Sequence, residues 1–426
     1  MKTQNKSMVL VGIAFGLLLA LSVQAAPIVS NVVGAQRART KLVDITYDLA
    51  DADHATLSVT IKISKDGGVT WDVPCLSLSG NGIGPQVTPG KGKLIVWDAG
   101  ADWNGQWSDR MKVEVTATIG GGDAPPIREV YLVVDLTPGP EAPRYQVSSL
   151  YSAPVNGWPD EFKSTKLVLR KIPAGTFTMG SPENELGRSS NETQHQVTLT
   201  KDFYVGVFEV TQKQWERVMG DWPSYFYNVD YRDTRPVERV SYDDIRGNDA
   251  GSGWPANNAV DADSFLGRLR EKTGLIFDLP TEAQWEYACR AGTTTALNSG
   301  KNLTDESECQ HVAEVGRYEY NRGQNQSPDV DTSGATAKVG SYLPNSWRLY
   351  DMHGNVWEWC LDGYDKGDYP PQAETDPKGV DEAPYRILRD GGWNSEAYYC
   401  RSARRDGNIS SYQYAAFGFR LALTVQ

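Results

Sequence analysis

Between residues 28 and 120, apolar side chains recur at every second position, a period that restricts this stretch to half-buried antiparallel strands. Val43, Ile45, Tyr47 and Leu49 form one apolar face; Leu57, Val59, Ile61 and Ile63 form another, and Met111, Val113, Val115 and Ala117 a third. Successive strand residues point to opposite sides, so each run covers one side of a shared core. Turn signals separate the runs: Asp66-Gly67-Gly68, Gly80-Asn81-Gly82 and Pro89-Gly90-Lys91-Gly92. The expectation is an all-β sandwich, immunoglobulin- or fibronectin-like, over residues 27–122. Trp97 and Trp103 read as core packing within it.

Gly120-Gly121-Gly122-Asp123-Ala124-Pro125-Pro126 reads as a linker, opening a connecting segment over residues 123–163. Within it, Val130 to Leu136 alternates like one more strand. From Ser164 the pattern changes. Leu167-Val168-Leu169 and Phe177-Thr178-Met179 are short strand candidates. Thr211 with Gln214 forms a capping box, so a helix starts there, carries Trp215, Val218 and Met219 on one face and stops at Gly220. Ser241 with Asp244 opens a shorter helix. Residues 261–273 present Phe265, Leu266 and Leu269 and end at Gly274. Thr281 with Gln284 opens a fourth helix, running to Gly292. About fifty residues rich in Gly, Asn, Asp and Ser follow, a length that in a compact domain is usually functional or held by an ion. The whole is an α+β chain with a second domain over residues 164–426.

The chain has 426 residues, 40% of them hydrophobic and 10% aromatic, enough for real cores. Its net charge of −12 argues against nucleic acid or an anionic membrane surface as the main partner. Residues 1–26 read as a secretory signal peptide: Lys2 and Lys6 precede an uncharged apolar run from Met8 to Val23, and Val23-Gln24-Ala25 supplies the cleavage site. An uncleaved N-terminal anchor is the other reading. With the signal removed, no apolar run is long enough to span a bilayer, and the protein is expected to be secreted, periplasmic or at the cell surface. Such compartments permit disulfides, and the odd count of five cysteines leaves at least one thiol unpaired, with isolated Cys75 the expected one. The four histidines are too scattered for a His-rich metal centre.

Several ordered motifs resemble the formylglycine-generating, or sulfatase-modifying factor, family. They are Ile172-Pro173-Ala174-Gly175-Thr176-Phe177-Thr178-Met179-Gly180-Ser181, Glu209-Val210-Thr211, Arg235-Pro236-Val237-Glu238-Arg239-Val240-Ser241, Leu279-Pro280-Thr281-Glu282-Ala283-Gln284-Trp285-Glu286-Tyr287-Ala288 and Gly354-Asn355-Val356-Trp357-Glu358-Trp359. The series ends with Arg389-Asp390-Gly391-Gly392-Trp393, Cys400-Arg401-Ser402-Ala403 and Gly418-Phe419-Arg420. The resemblance covers residues 165–426 and implies a domain related to C-type lectin folds, with little regular secondary structure. It also implies a structural calcium site at Asp351, Gly354, Val356 and Glu358, where two carboxylates and two backbone carbonyls wrap a hard cation. A second implied site maps onto Asn321, Arg322, Asp331 and Ser333, the last a backbone donor like Arg322. Solvated turns using Asp and Asn for local hydrogen bonds are the other reading of both.

The family reaction oxidises a sulfatase cysteine through two thiolates on copper(I), a soft ion suited to sulfur. Here the resemblance supplies Cys400, while Ser395 stands at the partner position, and Asp390 and Gly392 stand where the signature has Gly and Ser. An oxidase with unusual copper ligation is therefore one reading. The other is a non-oxidase that binds a protein, peptide or glycan through Trp393, Asn394, Glu396, Tyr398, Tyr399, Arg404, Tyr412 and Tyr414. Tyr, Asn and Arg give contact area and hydrogen bonds at modest entropic cost. The segment resembles the hypervariable region of retroelement-diversified binding proteins; structural packing of the same residues is the alternative.

Overall fold

The computed structural model describes residues 26–75, 78–103, 105–119, 131–150, 153–154, 157–323, 334–380 and 383–425. Residues 1–25 of the signal-peptide reading, the whole linker motif Gly120–Pro126, and Asp331 and Ser333 fall outside these residues.

The N-terminal region is β-rich. Its strands are β1 (Ile28–Gln36), β2 (Leu42–Ala50), β3 (Leu57–Ser64), β4 (Leu78–Ser79), β5 (Gly84–Val87), β6 (Gly90–Asp98) and β7 (Lys112–Ile119), with a one-turn helix α1 (Ala99–Asp102) after β6. They form two antiparallel sheets, ordered β1-β2-β6-β4 and β5-β3-β7. The period-two pattern sets the register: Ile45, Tyr47 and Leu49 meet Leu57, Val59, Ile61 and Ile63 in one core. Trp97 joins that core, and its indole N–H donates to Asp102 at 3.0 Å. The turn after β3 is knitted by Asp66, which accepts from the backbone N–H groups of Val69 and Thr70.

The C-terminal part mixes short strands and helices. Strands β8 (Tyr131–Asp135), β9 (Gln146–Leu150), β10 (Lys166–Ile172), β11 (Gly175–Met179), β12 (His195–Leu199) and β13 (Phe203–Gly206) precede the helices α2 (Gln212–Met219), α3 (Tyr242–Arg246), α4 (Phe265–Thr273), α5 (Glu282–Arg290) and α6 (Gln310–Val315). Strands β14 (Trp357–Tyr364), β15 (Glu374–Thr375), β16 (Tyr385–Arg389), β17 (Asp406–Asn408), β18 (Phe417–Gly418) and β19 (Ala422–Thr424) follow. One sheet is ordered β19-β13-β10-β8-β9, and this corrects the expected linker over 123–163. Residues 131–150 supply two strands of the C-terminal sheet, with Val134 opposite Leu167 and Val133 opposite Val168. The run Tyr131–Val134 is buried on both faces, so its burden of apolar surface demands a sheet neighbour that a free linker lacks.

The helix boundaries follow local chemistry. Thr211, Ser241 and Thr281 each cap a helix in a complete capping box, and Gly220 and Gly274 close α2 and α4 in left-handed conformation. Helix α5 departs by one residue, ending on Ala291 at φ 45°, whose N–H reaches the Tyr287 carbonyl. Trp215 of α2 stacks on Phe265 of α4, ring centroids 5.1 Å apart, and both rings meet Phe419.

The sheet β17-β16-β14-β18 positions the site. Glu358, second residue of β14, faces Arg389 at the end of β16 on one side and Gly418 of β18 on the other. Asp390 therefore follows directly from one neighbour strand and Arg420 from the other. Glu209 arrives from the turn after β13.

Candidate functional site: a buried carboxylate cluster under a sealed thiol

Glu209, Glu358 and Asp390 each offer an oxygen within 4.8 Å of the others, and all three are buried. Glu358 is engaged by Arg420, whose Nε and Nη2 donate to it, and by the Trp285 indole N–H at 2.6 Å. Glu209 accepts from the Asn355 amide at 2.7 Å and the Val356 N–H at 3.2 Å. Asp390 accepts from Gly354 N–H at 2.6 Å through one oxygen, while its Oδ2 has no partner. Asp351 borders the group; its Oδ2 accepts from Gly340 N–H, and its buried Oδ1 is also unpartnered. Burial pushes the Glu209 and Asp390 carboxyls well above the usual range, and neighbouring acids add to it. The Asp351 carboxyl is pushed up to about 6, again chiefly by burial.

The backbone around this cluster is tightly constrained. Gly354 sits at φ 103°, and a Cβ there would lie 2.1 Å from the Arg317 carbonyl oxygen, so only glycine fits. The structure thus unites Asp351 and Glu358 of the first expected calcium site, and adds Glu209 and Asp390, which sequence reading did not assign. The only sequence signal was the oddity of Asp390 at a glycine position. At the second expected site, the Asn321 amide is spent on local bonds to Tyr318 N–H and Gly316 C=O. The Arg322 carbonyl already accepts from Gly334 N–H at 2.6 Å.

Cys400 lies at the end of a short helical turn, with no exposed surface. Gly391 is pressed over its sulfur: a Cβ there would lie 2.8 Å from Sγ. Burial pushes the thiol well up, with Asp390 contributing, so the protonated form is favoured. Ser395 holds the turn; its hydroxyl accepts from Gly392 N–H at 3.0 Å and Trp357 Nε1 at 3.2 Å. All five cysteines are free, and Cys289 and Cys360 are likewise buried. His353 donates from Nδ1 to the Cys400 carbonyl and accepts at Nε2 from Asn298 N–H. That pairing fixes the neutral tautomer, and burial pushes its pKa down to about 4.

The expected recognition residues divide. Trp393 is buried, donates to the Ala415 carbonyl and meets Phe226 edge-on at 5.2 Å. Glu396, Tyr398, Tyr399 and Arg404 are half-buried; Tyr398 stacks against Tyr399, and Arg404 lies over Tyr399 and bonds Ser189. Tyr412 and Tyr414 are exposed, and the Tyr414 hydroxyl accepts from the half-buried Asn394 amide. A second aromatic segment that sequence reading passed over lies next to Trp393: Tyr225 and Tyr227 are exposed, flanking buried Phe226. Glu238 holds that loop by accepting from Tyr225 and Phe226 N–H. The run of aromatics at 222–231 was the available signal.

The model of the sulfatase-modifying factor enzyme 1-like domain matches residues 160–425. The chain belongs to that family. It is similar to the serine/threonine-protein kinase pkn1 of Chlamydia pneumoniae, 30% identical over 61% of this chain and 38% of that protein. It is 36% identical to the formylglycine-generating enzyme of Streptomyces coelicolor, over 34% of this chain and 46% of that one. The chain thus spans less than half the length of these two relatives. Over 48% of its length it is 33% identical to the chaperone protein LppX of Paenibacillus barcinonensis, covering 74% of it. Among solved structures, Treponema denticola variable protein 1 aligns over 61% of this chain and 96% of its own, at 25% identity and a TM-score of 0.48. No helix among the described residues is long and apolar enough to cross a membrane.

Proposed function

We propose that this chain is a secreted member of the sulfatase-modifying factor family that binds a protein, peptide or glycan ligand and does not oxidise cysteine. The observation carrying this reading is the seal over Cys400: a fully buried thiol whose ionisation burial disfavours, opposite a serine already committed to two hydrogen bonds. One thiol and one hydroxyl do not fit copper(I), which takes soft sulfur donors. The exposed rings of Tyr412 and Tyr414, 6.5 Å apart, offer rigid contact area for the ligand. The N-terminal β-rich region belongs to this reading as an immunoglobulin- or fibronectin-like module ahead of the binding domain.

Calcium is the structural cofactor of the proposal. The orphaned Asp351 Oδ1 and the excess of buried acids over guanidinium suit a hard cation. Asp351 and Glu358, with the Gly354 and Val356 carbonyls, would hold it and tie the loop before β14 to the sheet.

The test is oxidation of a sulfatase-derived cysteine peptide by the full chain with copper and oxygen. We expect no formylglycine above a Cys400→Ala control. Turnover above that control would establish the oxidase reading instead.

A further inference from the structure

We propose that Asp390 and Glu209, together with Glu358, form a calcium-binding carboxylate triad, with Asp390 the residue that completes it. This deepens the calcium reading above and rests on it.

The geometry comes first. Calcium takes oxygen ligands at about 2.3–2.6 Å, so oxygens on opposite sides of the ion stand about 4.6–5.2 Å apart. The three carboxylates place an oxygen each within 4.8 Å of one another, close enough for one cation to bridge all three.

A second observation points independently to a ligand. Asp390 has no exposed surface, and its Oδ2 has no hydrogen-bond partner. A buried carboxylate oxygen without a donor is costly, and a cation is the natural missing partner. Asp390 is also held at a left-handed φ of 91°.

Charge balance agrees. Arg420 is the guanidinium that bonds into the group, and it is already committed to Glu358. Among the described residues, the donors to Glu209 and Asp390 are neutral: Asn355, Val356 and Gly354. A divalent ion supplies the positive charge the two acids lack, while Arg420 keeps Glu358 oriented.

The experiment uses the metal-free full chain, titrated with calcium chloride and separately with terbium(III). Terbium emission is sensitised by tryptophan, and Trp285 lies hydrogen-bonded to Glu358. Wild type is expected to bind calcium, gain thermal stability and show sensitised emission. Asp390→Gly relieves the positive φ, so it should fold. It is expected to bind calcium at least tenfold more weakly, and to melt higher than wild type in chelator because an unpartnered buried acid is gone. Glu209→Gln should weaken calcium binding in the same direction. If Asp390→Gly binds calcium as tightly as wild type, the triad falls while the site at Asp351 stands. If wild type binds no calcium and shows no emission, both readings fall.

Discussion

Arg420 grips Glu358 through three hydrogen bonds, Nε to Oε1 at 2.9 Å, Nε to Oε2 at 2.6 Å and Nη2 to Oε1 at 2.7 Å, with both residues fully buried. The same guanidinium donates to the backbone carbonyls of Gly206, Tyr350 and Asp351. One side chain near the C-terminus therefore pins β14, the turn after β13 and the loop that carries Asp351.

Removing Arg420 strands a buried carboxylate beside two further acids. Arg420→Met is expected to cost about 3–5 kcal/mol in urea denaturation, the range for breaking one side of a buried pair. A loss under 1 kcal/mol would mean that the pair does not organise the domain.

Ser395 is predicted to act through its oxygen. Ser395→Ala leaves Gly392 N–H and the Trp357 indole N–H without their acceptor, at an expected cost of about 1–3 kcal/mol. Thermal melts of Ser395→Ala and Ser395→Thr would separate the hydroxyl from side-chain volume. Equal stability of wild type and the alanine variant would remove the structural role assigned to this serine.

Asp362 should give stability a pH dependence of defined sign. Burial, followed by the charge of Glu282, pushes its carboxyl up to about 7. The unfolded chain releases that proton near pH 4, whereas the native state keeps it until about 7. Native protein binds the extra proton across this window, so stability is full below about pH 4 and falls as pH rises to 7. The slope approaches ~1.4 kcal/mol per pH unit for one proton. Asp362→Asn should flatten the fall between pH 5 and 7; identical slopes in both proteins would contradict the assignment.

What could be read from the sequence was local. Thr211 with Gln214 and Thr281 with Gln284 announce their helices because capping is decided within four residues. The alternation in β2 and β3 fixes its faces for the same reason. The acid cluster was half legible: Asp351 and Glu358 share one motif, but Glu209 and Asp390 reach them only through the pairing of β14 with β16 and the turn after β13. Strand β8 looked like a strand, yet its partner β10 lies beyond the intervening β9, so its membership of the C-terminal sheet was hidden. Tyr398, Tyr399 and Arg404 have the composition of a recognition surface, and burial decides which of them is free to serve as one.

Strand β8 also determines how the molecule would carry a load. It is the first described element after β7, and it lies between β10 and β9, hydrogen-bonded on both sides. Tension applied through the N-terminal region would therefore reach the interior of the C-terminal sheet as shear along β8, engaging a whole ladder of backbone bonds at once. A domain entered through an interior strand resists being peeled apart from that end, because the bonds on both sides of β8 share the load.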